Sequence, residues 1–308
     1  MSEKPIPVVL FAFNRPQFLL TALDCLRNNE VPLIYAFSDG PRNSSEIRKV
    51  EEVRAILRSV NWCEICVVER GNNFGLGVSM RTGIAEVLKK HQAVIVFEDD
   101  LICVKGTYQY LEAALRHYSD DPRVMSVTGW THPRVVPSGV TDQPYFDGRA
   151  EGWNPGIWNR AWEGMEHDAM AMVRQCKSRG IDINRCGYDL IGMAKRERKQ
   201  NIWAVRLLYH HILKGGLCLR PPWSMVEHIG HGKEATNVKA EGDWESTNPP
   251  LKSCPPIPSD WPEPEEHPGC EGLRAAAYGT KPKSTLTLFG RTLRLGARTL
   301  RALKRGLG

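Results

Sequence analysis

Glu98-Asp99-Asp100 sets three carboxylates side by side, directly after the apolar run Val94-Ile95-Val96-Phe97 and before Leu101. An apolar run that ends in acids reads as a buried strand with its charges at the tip. Carboxylates this close repel one another and resist ionisation unless positive charge is at hand, and none stands beside them in the sequence. Three kinds of chemistry would use such a cluster: binding a divalent cation, capping the next helix, or general acid–base work. Capping takes one acid. Magnesium and manganese take carboxylate oxygens and complete their shells with water and phosphate. That donor set suits a nucleotide diphosphate, whose leaving charge a metal offsets together with the acids. The plain alternative, an acidic cluster with a structural role, stays open at this point.

Two other groups have the right residue types. His228 and His231 flank Ile229-Gly230 in a Gly-rich loop, where they would reach phosphate or add a metal ligand. A lone loop histidine is otherwise a solvated side chain. Cys63 and Cys66 have C-x-x-C spacing, but they sit in an alternating stretch with no second pair at zinc spacing and no helix start behind them, which favours a structural role. The nine cysteines are expected to be reduced, in a chain read as cytosolic.

Elements must carry the acids. Pro7–Phe13 is a continuous apolar run, as in a strand buried on both faces. After it, Phe18, Leu19, Ala22, Leu23 and Leu26 recur at helical spacing. A second strand is expected at 33–40, an amphipathic helix with a Ser cap at 44–60, and a third strand at 63–70. A third helix ends near His91, and the strand leading into the acids follows. Strands alternating with helices predict a mostly parallel sheet with helices on both faces, whose ligands sit at the carboxyl ends of the strands. All four predicted tips there are polar: Asn14-Arg15, Ser38-Asp39-Gly40, Glu69 to Asn73, and the acids themselves. A further helix and strand follow at 106–130. Residues 132–150 read as loop, 152–165 as a Trp-rich stretch opening a helical region to about Lys214, and the stretch from Gly215 as another strand running into a Gly/His-rich loop. Trp158 and Trp162 are expected in the core, with Trp153 open to either a core or a sugar-facing role. No internal repeat is visible.

The order of these segments resembles the nucleotide-sugar glycosyltransferases of the GT-A fold, nearest the N-acetylglucosaminyltransferase I type and bacterial family 2-like enzymes. "VIVFEDDL" resembles their E-D-D strand end, "VVLFAFNRP" their first strand and nucleotide loop, "AFSDG" their second strand, and "RGNNFGLGVSMRTGI" the stretch beside the donor. "GWNPGIWNRAW" resembles their acceptor loop and "GLCLRPPWSMVEHIGHG" their mobile closing loop, so the likeness runs over residues 8–237. The resemblance implies an α/β, Rossmann-like GT-A sheet and a Mn2+- or Mg2+-dependent, inverting hexosyl- or N-acetylhexosaminyl-transferase. Asp100 would ligate the metal, Asp99 would face ribose or metal-bound water, and Glu98 would stand behind them. Phe11, Asn14 and Arg15 would line the nucleotide, and Asp39 would accept from its base, uracil in the favoured UDP-sugar. Arg70 and Asn73 would line the donor, and His228 or His231 would reach the diphosphate, His231 being the chosen further metal ligand. Plain readings stand beside these: Asp39-Gly40 is also a turn signal, and Arg15-Pro16 also a helix start.

The family also places a catalytic Asp after a Trp before its last strand. Here Ile202-Trp203-Ala204 has alanine, so another carboxylate must take the acceptor's proton. Glu151 is the expected base, with Asp189 and Glu227 behind it. A transferase fold that has lost catalysis, acting as a glycan-binding or scaffolding protein, is the alternative. An NDP-sugar nucleotidyltransferase is disfavoured, because "FAFNRPQF" lacks that class's glycine-rich phosphate loop.

At 308 residues, 42% hydrophobic and 25% charged, the chain has globular composition. Expected divisions are a GT-A domain over 1–242 (nucleotide half 1–130, acceptor half 131–242), a Pro-rich extended segment over 243–280, and a basic tail over 281–308. The tail carries eight positive charges and no acid, against a net +6 for the whole chain, so the basic balance belongs to it. Leu286, Phe289, Leu293, Leu300, Leu303 and Leu307 lie among those charges, as in a helix on an anionic membrane surface, where lipid-linked or other glycan acceptors would be met; nucleic acid is not the expected partner. Neither a secretory signal nor a spanning segment is read. The expected place is cytoplasmic, peripheral on the inner face of the membrane.

Overall fold

The computed structural model describes residues 4–200, 202–230 and 251–279. β1 (Val8–Ala12) is buried at every position, and β2 (Leu33–Ser38), β3 (Glu64–Glu69) and β4 (Ala93–Glu98) join it in parallel. Helices make the crossovers. α1 (Pro16–Asn28) starts with Pro at its first position, where a missing N–H costs nothing, and buries Leu19, Ala22, Leu23 and Leu26. α2 (Ile47–Arg58) buries Val50, Val53 and Leu57, and α3 (Leu76–Leu88) buries Met80, Ile84, Val87 and Leu88. The turn before α2 is capped by Asn43, whose side chain accepts from Ser45 N, not by the serine expected from sequence. α4 (Thr107–His117) leads to β6 (Val124–Thr128).

With β7 (Tyr145–Asp147), β8 (Pro155–Trp158) and β9 (Leu217–Arg220), the sheet has eight strands in the order β3-β2-β1-β4-β8-β6-β9-β7. Two of them were not expected. β8 (Pro155–Trp158) comes from the Trp-rich stretch read as opening a helical region, and it inserts antiparallel between β4 and β6. A short apolar run cannot be told from a buried helix segment by period alone; the open edge of β4 decides it. β7 (Tyr145–Asp147) forms inside the expected loop and pairs antiparallel with β9 (Leu217–Arg220). β8 and β7 run against the other strands, so the sheet is mixed but mostly parallel, and the expected nucleotide and acceptor halves share it.

After β8 come α5 (Asn159–Trp162), α6 (Ala169–Ser178), α7 (Asp189–Gln200) and α8 (Ala204–Lys214). A two-stranded ribbon then pairs β10 (Val226–His228) antiparallel with β5 (Leu101–Cys103), setting His228 opposite Leu101. Within the stretch expected to be extended, residues 270–278 form α9 (Cys270–Tyr278). Cys270 and Arg274 are its buried positions. The proposed basic tail lies outside the described residues. Among the described residues no helix is long and apolar enough to cross a membrane.

Candidate active site

The carboxyl ends of β1, β2 and β4 open on a cleft of about 400 Å3. It gathers Phe11, Asn14 and Arg15 from the first tip, Asp39 from the second, Asn73 from the third and Glu98, Asp99 and Asp100 from the fourth, with His228 beside them. Parallel pairing brings these tips together: Phe11 lies in register with both Phe37 and Glu98.

The positive charge missing from the local sequence comes from Arg15, 84 residues from Asp99. One guanidinium nitrogen bonds Asp99 Oδ1, and the other lies 2.7 Å from Asp100 Oδ2. Asp99 Oδ2 also accepts from Phe13 N at 3.1 Å. Asp100 Oδ2 stands 3.3 Å from His228 Nε2. Gly230 packs on Asp100 so closely that any Cβ there would overlap the carboxylate. Asp100 Oδ1 is buried and has no hydrogen-bond partner among the described residues.

These surroundings separate three chemically similar acids. Burial, then the charges of Asp100 and Asp99, push Glu98 up to about 8. Burial raises Asp99 to about 6, against the pull of Arg15. Burial works against the charge of Asp100 too, yet His228 and Arg15 hold its pKa below the ordinary value. Asp100 is thus the acid held most firmly in its charged form, and it is the one with an oxygen unmatched among the described residues.

The cleft wall is built by the next tips. Asp39 is buried and accepts from three backbone amides: Gly40 N at 3.1 Å and Phe74 N at 2.9 Å on Oδ1, Gly75 N at 2.9 Å on Oδ2. It therefore anchors the loop before α3 while facing the cleft. Asn73 Nδ2 donates to Gly40 O at 2.7 Å. Asn14 Nδ2 donates to Glu46 Oε1 at 3.2 Å. Arg70 does not line the cleft, contrary to the sequence expectation. Its guanidinium is buried beneath α3, donating to Ser79 Oγ at 2.7 Å and Thr82 Oγ1 at 3.0 Å between the rings of Phe37 and Phe74. A cation in an apolar bed with oxygen acceptors nearby holds a helix down. Arg42 and Lys49 line the cleft instead; the position of Arg42, just past the second tip, was the available signal.

Glu151 lies outside this lining, two residues before Trp153. Trp153, half-buried, stacks on His228 at 5.1 Å and meets Trp130 edge-on at 4.7 Å. Glu151 Oε1 accepts from Gly152 N at 2.9 Å, and Oε2 stands 3.5 Å from Arg220 Nη1. Arg220 is fully buried and also bonds Asp147 Oδ2 at 2.9 Å. A Cβ on Gly152 would come within 2.6 Å of the Ala204 Cβ, so the alanine found where an acid was expected packs directly beside Glu151-Gly152. Of the weaker candidates, Asp189 is taken by Arg149 at 2.8 Å, and Glu227 pairs across β10–β5 with Ile102. Trp158 is buried and donates to Leu115 O at 3.1 Å; Trp162 is half-buried. His231 lies outside the described residues.

No group of three or more His, Cys, Asp or Glu converges as a ready metal cage among the described residues. The fit to a hard cation is narrower: one buried carboxylate with an oxygen unpartnered among the described residues, sharing a single guanidinium with Asp99. Carboxylate oxygens are what Mg2+ and Mn2+ take, with phosphate and water supplying the rest.

No protein-family model and no curated protein matches the chain. Among solved structures it is similar to the mannosyltransferase PcManGT from Pyrobaculum calidifontis, in complex with GDP-Man and Mn2+, at 12% identity and a TM-score of 0.37, over 51% of this chain and 45% of that one. It is similar to residues 1–349 of S. aureus TarS at 11% identity and a TM-score of 0.41, over 74% of this chain and 61% of that one. The chain thus spans about half of the former and three-fifths of the latter. With likeness this distant, the functional reading rests on the site.

Proposed function

We propose that the chain is a GT-A-type glycosyltransferase that moves a sugar, with inversion, from a nucleotide donor to a glycan or lipid-linked acceptor, with a UDP-sugar the favoured donor. The observation that carries this is Asp100: buried, held charged, and with one oxygen unmatched, at a strand tip in a cleft that also presents Arg15 and a nucleotide-sized wall. Asp100, with Glu98 and Asp99 around it, would hold Mn2+ or Mg2+, which would supply positive charge to the departing diphosphate. Asp39 already faces the cleft with its loop fixed by amides, and it takes the base. Phe11 and Asn14 flank the base and ribose. Arg15 meets the phosphates, where a charged donor aimed at developing charge is most effective. Glu151 takes the acceptor hydroxyl's proton as that oxygen bonds the anomeric carbon and the bond to the diphosphate breaks. Arg220 and Gly152 N hold the carboxylate in place for this. Trp153 offers a flat apolar face between the two halves of the site.

Hydrolysis of a panel of UDP-, GDP- and CMP-sugars with Mn2+ tests the reading. One donor class is expected to turn over, and Asp100→Asn to abolish that turnover. Glu151→Gln is expected to bind the donor normally and to lose transfer by about 10²–10⁴-fold, the usual worth of a positioned base. Wild-type transfer in Glu151→Gln would remove Glu151 from the mechanism. Ala204 favours a second reading, a non-catalytic glycan-binding protein; absence of both hydrolysis and a donor-induced thermal shift selects it. The basic tail at 281–308 is proposed to rest on anionic membrane. Flotation with anionic liposomes should be lost when the chain is cut near Lys281, and equal flotation sinks that part.

A further inference from the structure

We infer that Arg15 is a built-in counter-ion that keeps a divalent cation off Asp100 until a nucleoside diphosphate arrives, so that metal and nucleotide bind as one unit. The inference rests on the reading of the cleft as a metal–diphosphate site. It adds something that reading does not require: a positive charge on the metal's carboxylate, supplied by the chain itself.

Three observations converge on this. Arg15 bridges two acids at once, Asp99 and Asp100, and its contact with Asp100 is 2.7 Å. A guanidinium that bridges carboxylates makes strong, directional charge-assisted bonds. A cation that ligates Asp100 with Arg15 still in place would sit within a few ångströms of a like charge in a partly dry cleft. Second, the acids are nearly sealed, with side chains 3% and 7% exposed, while Arg15 is 18% exposed and lines the cleft. Arg15 is therefore the member of the cluster with room to move. It is anchored at the start of α1 beside Pro16, and its guanidinium lies 5.5 Å from the Phe18 ring, an aromatic face beside the head. Third, the other cleft arginine is committed elsewhere. Arg42 pairs with Glu46 and covers the Phe13 ring at 5.1 Å. Breaking a buried ion pair and leaving the cation unpaired is costly. A diphosphate removes that cost by giving the guanidinium new anionic oxygens, and the positive charge that opposed a cation on Asp100 Oδ1 is then drawn away. Metal alone offers Arg15 nothing.

The test reads binding, not turnover. Free Mn2+ is measured by electron paramagnetic resonance for the full chain, with and without saturating UDP. Wild type is expected to bind Mn2+ about tenfold more tightly with UDP than without, a common size for coupling between sites. Arg15→Gln keeps the stem and removes the charge. It is expected to bind Mn2+ alone about tenfold more tightly than wild type and to gain less from UDP, whose phosphate oxygens still ligate the metal. By reciprocity, Mn2+ should then improve its UDP affinity by less. Arg15→Lys should keep the coupling. The double variant Arg15→Gln/Asp99→Asn removes the uncompensated acid in case the single variant folds poorly, and should show the same uncoupling. If Arg15→Gln binds Mn2+ alone no more tightly than wild type, or keeps the full UDP effect, the inference is overturned while the cleft's function stands. If wild type binds no Mn2+ even with UDP, the reading of the cleft falls, and this inference with it.

Discussion

Glu98, Asp99 and Asp100 share one strand tip, yet only Asp100 is held below the ordinary carboxylate range. Residues far off in the sequence set this: Arg15 bonds both Asp99 and Asp100, and His228 faces Asp100 alone. The candidate acids and most of the cleft residues were legible, because polar residues at the ends of apolar strands are a local pattern. The partner was not. Nothing near residue 100 points to Arg15, and an ion pair across two strand tips exists only after β1 and β4 align. Asp39 shows the same limit. Its type and place were readable, but its hold on three amides was not. That hold makes a prediction. Asp39→Ala takes a charged acceptor from the amides of Phe74 and Gly75, and hydrogen bonds to a charged group are worth about 1.5–3 kcal/mol each. It should lower stability by about 3 kcal/mol in urea unfolding and weaken nucleotide binding by isothermal titration. Asp39→Asn, which keeps an acceptor oxygen, should recover part of the stability.

At the scale of elements, the alternation of strands and helices through β4 was readable because each element is long enough to show its period. β8, β7 and α9 were not. Pro155-Gly156-Ile157-Trp158 is too short for periodicity, and it becomes a strand because β4 and β6 each need a neighbour. Positioning by helices is likewise tertiary. Arg70 reads as a donor ligand in sequence but works as the clamp of α3, whose residues Leu76 and Ser79 line the cleft. Arg70→Met keeps apolar bulk and loses the bonds to Ser79 and Thr82. Charged hydrogen bonds of this kind are worth about 1.5–3 kcal/mol, so the variant should lose about 2 kcal/mol in urea unfolding. Its affinity for UDP should fall, since the wall shifts, while Mn2+ binding in the presence of saturating UDP stays as in wild type. A matching fall in Mn2+ affinity would put Arg70 in the site after all. Gly152 is the corresponding test at α8. Gly152→Ala must push the start of the helix away from the Glu151 loop, and it should reduce transfer more than donor hydrolysis.

Across the whole molecule, ionisable groups buried far from the cleft decide how the fold answers pH. His211 on α8 is fully buried against β6. Its Nδ1–H donates to Leu207 O at 2.9 Å, which leaves Nε2 to accept from Ser126 Oγ, also at 2.9 Å. Burial pushes His211 down to about 3. Its neighbour His210 is likewise lowered, by burial and then by Lys214. The sign follows from proton counting. Between the ordinary histidine pKa of about 6.5 and the folded value, the unfolded chain takes up a proton that the folded chain refuses. Stability is therefore complete above that ordinary value and is lost as pH falls through the window, at up to about 1.4 kcal/mol per unit for one site. The raised acids Glu98 and Asp99 act in the opposite direction, since the folded state holds their protons more tightly. Only the difference between two chains isolates the histidine. Urea unfolding of wild type and His211→Gln at steps from pH 7 to 4 should give a shallower acid decline in the variant, even though its stability at pH 7 is lower. Parallel curves would mean that His211 takes up its proton without unfolding, through a shift of α8 away from β6.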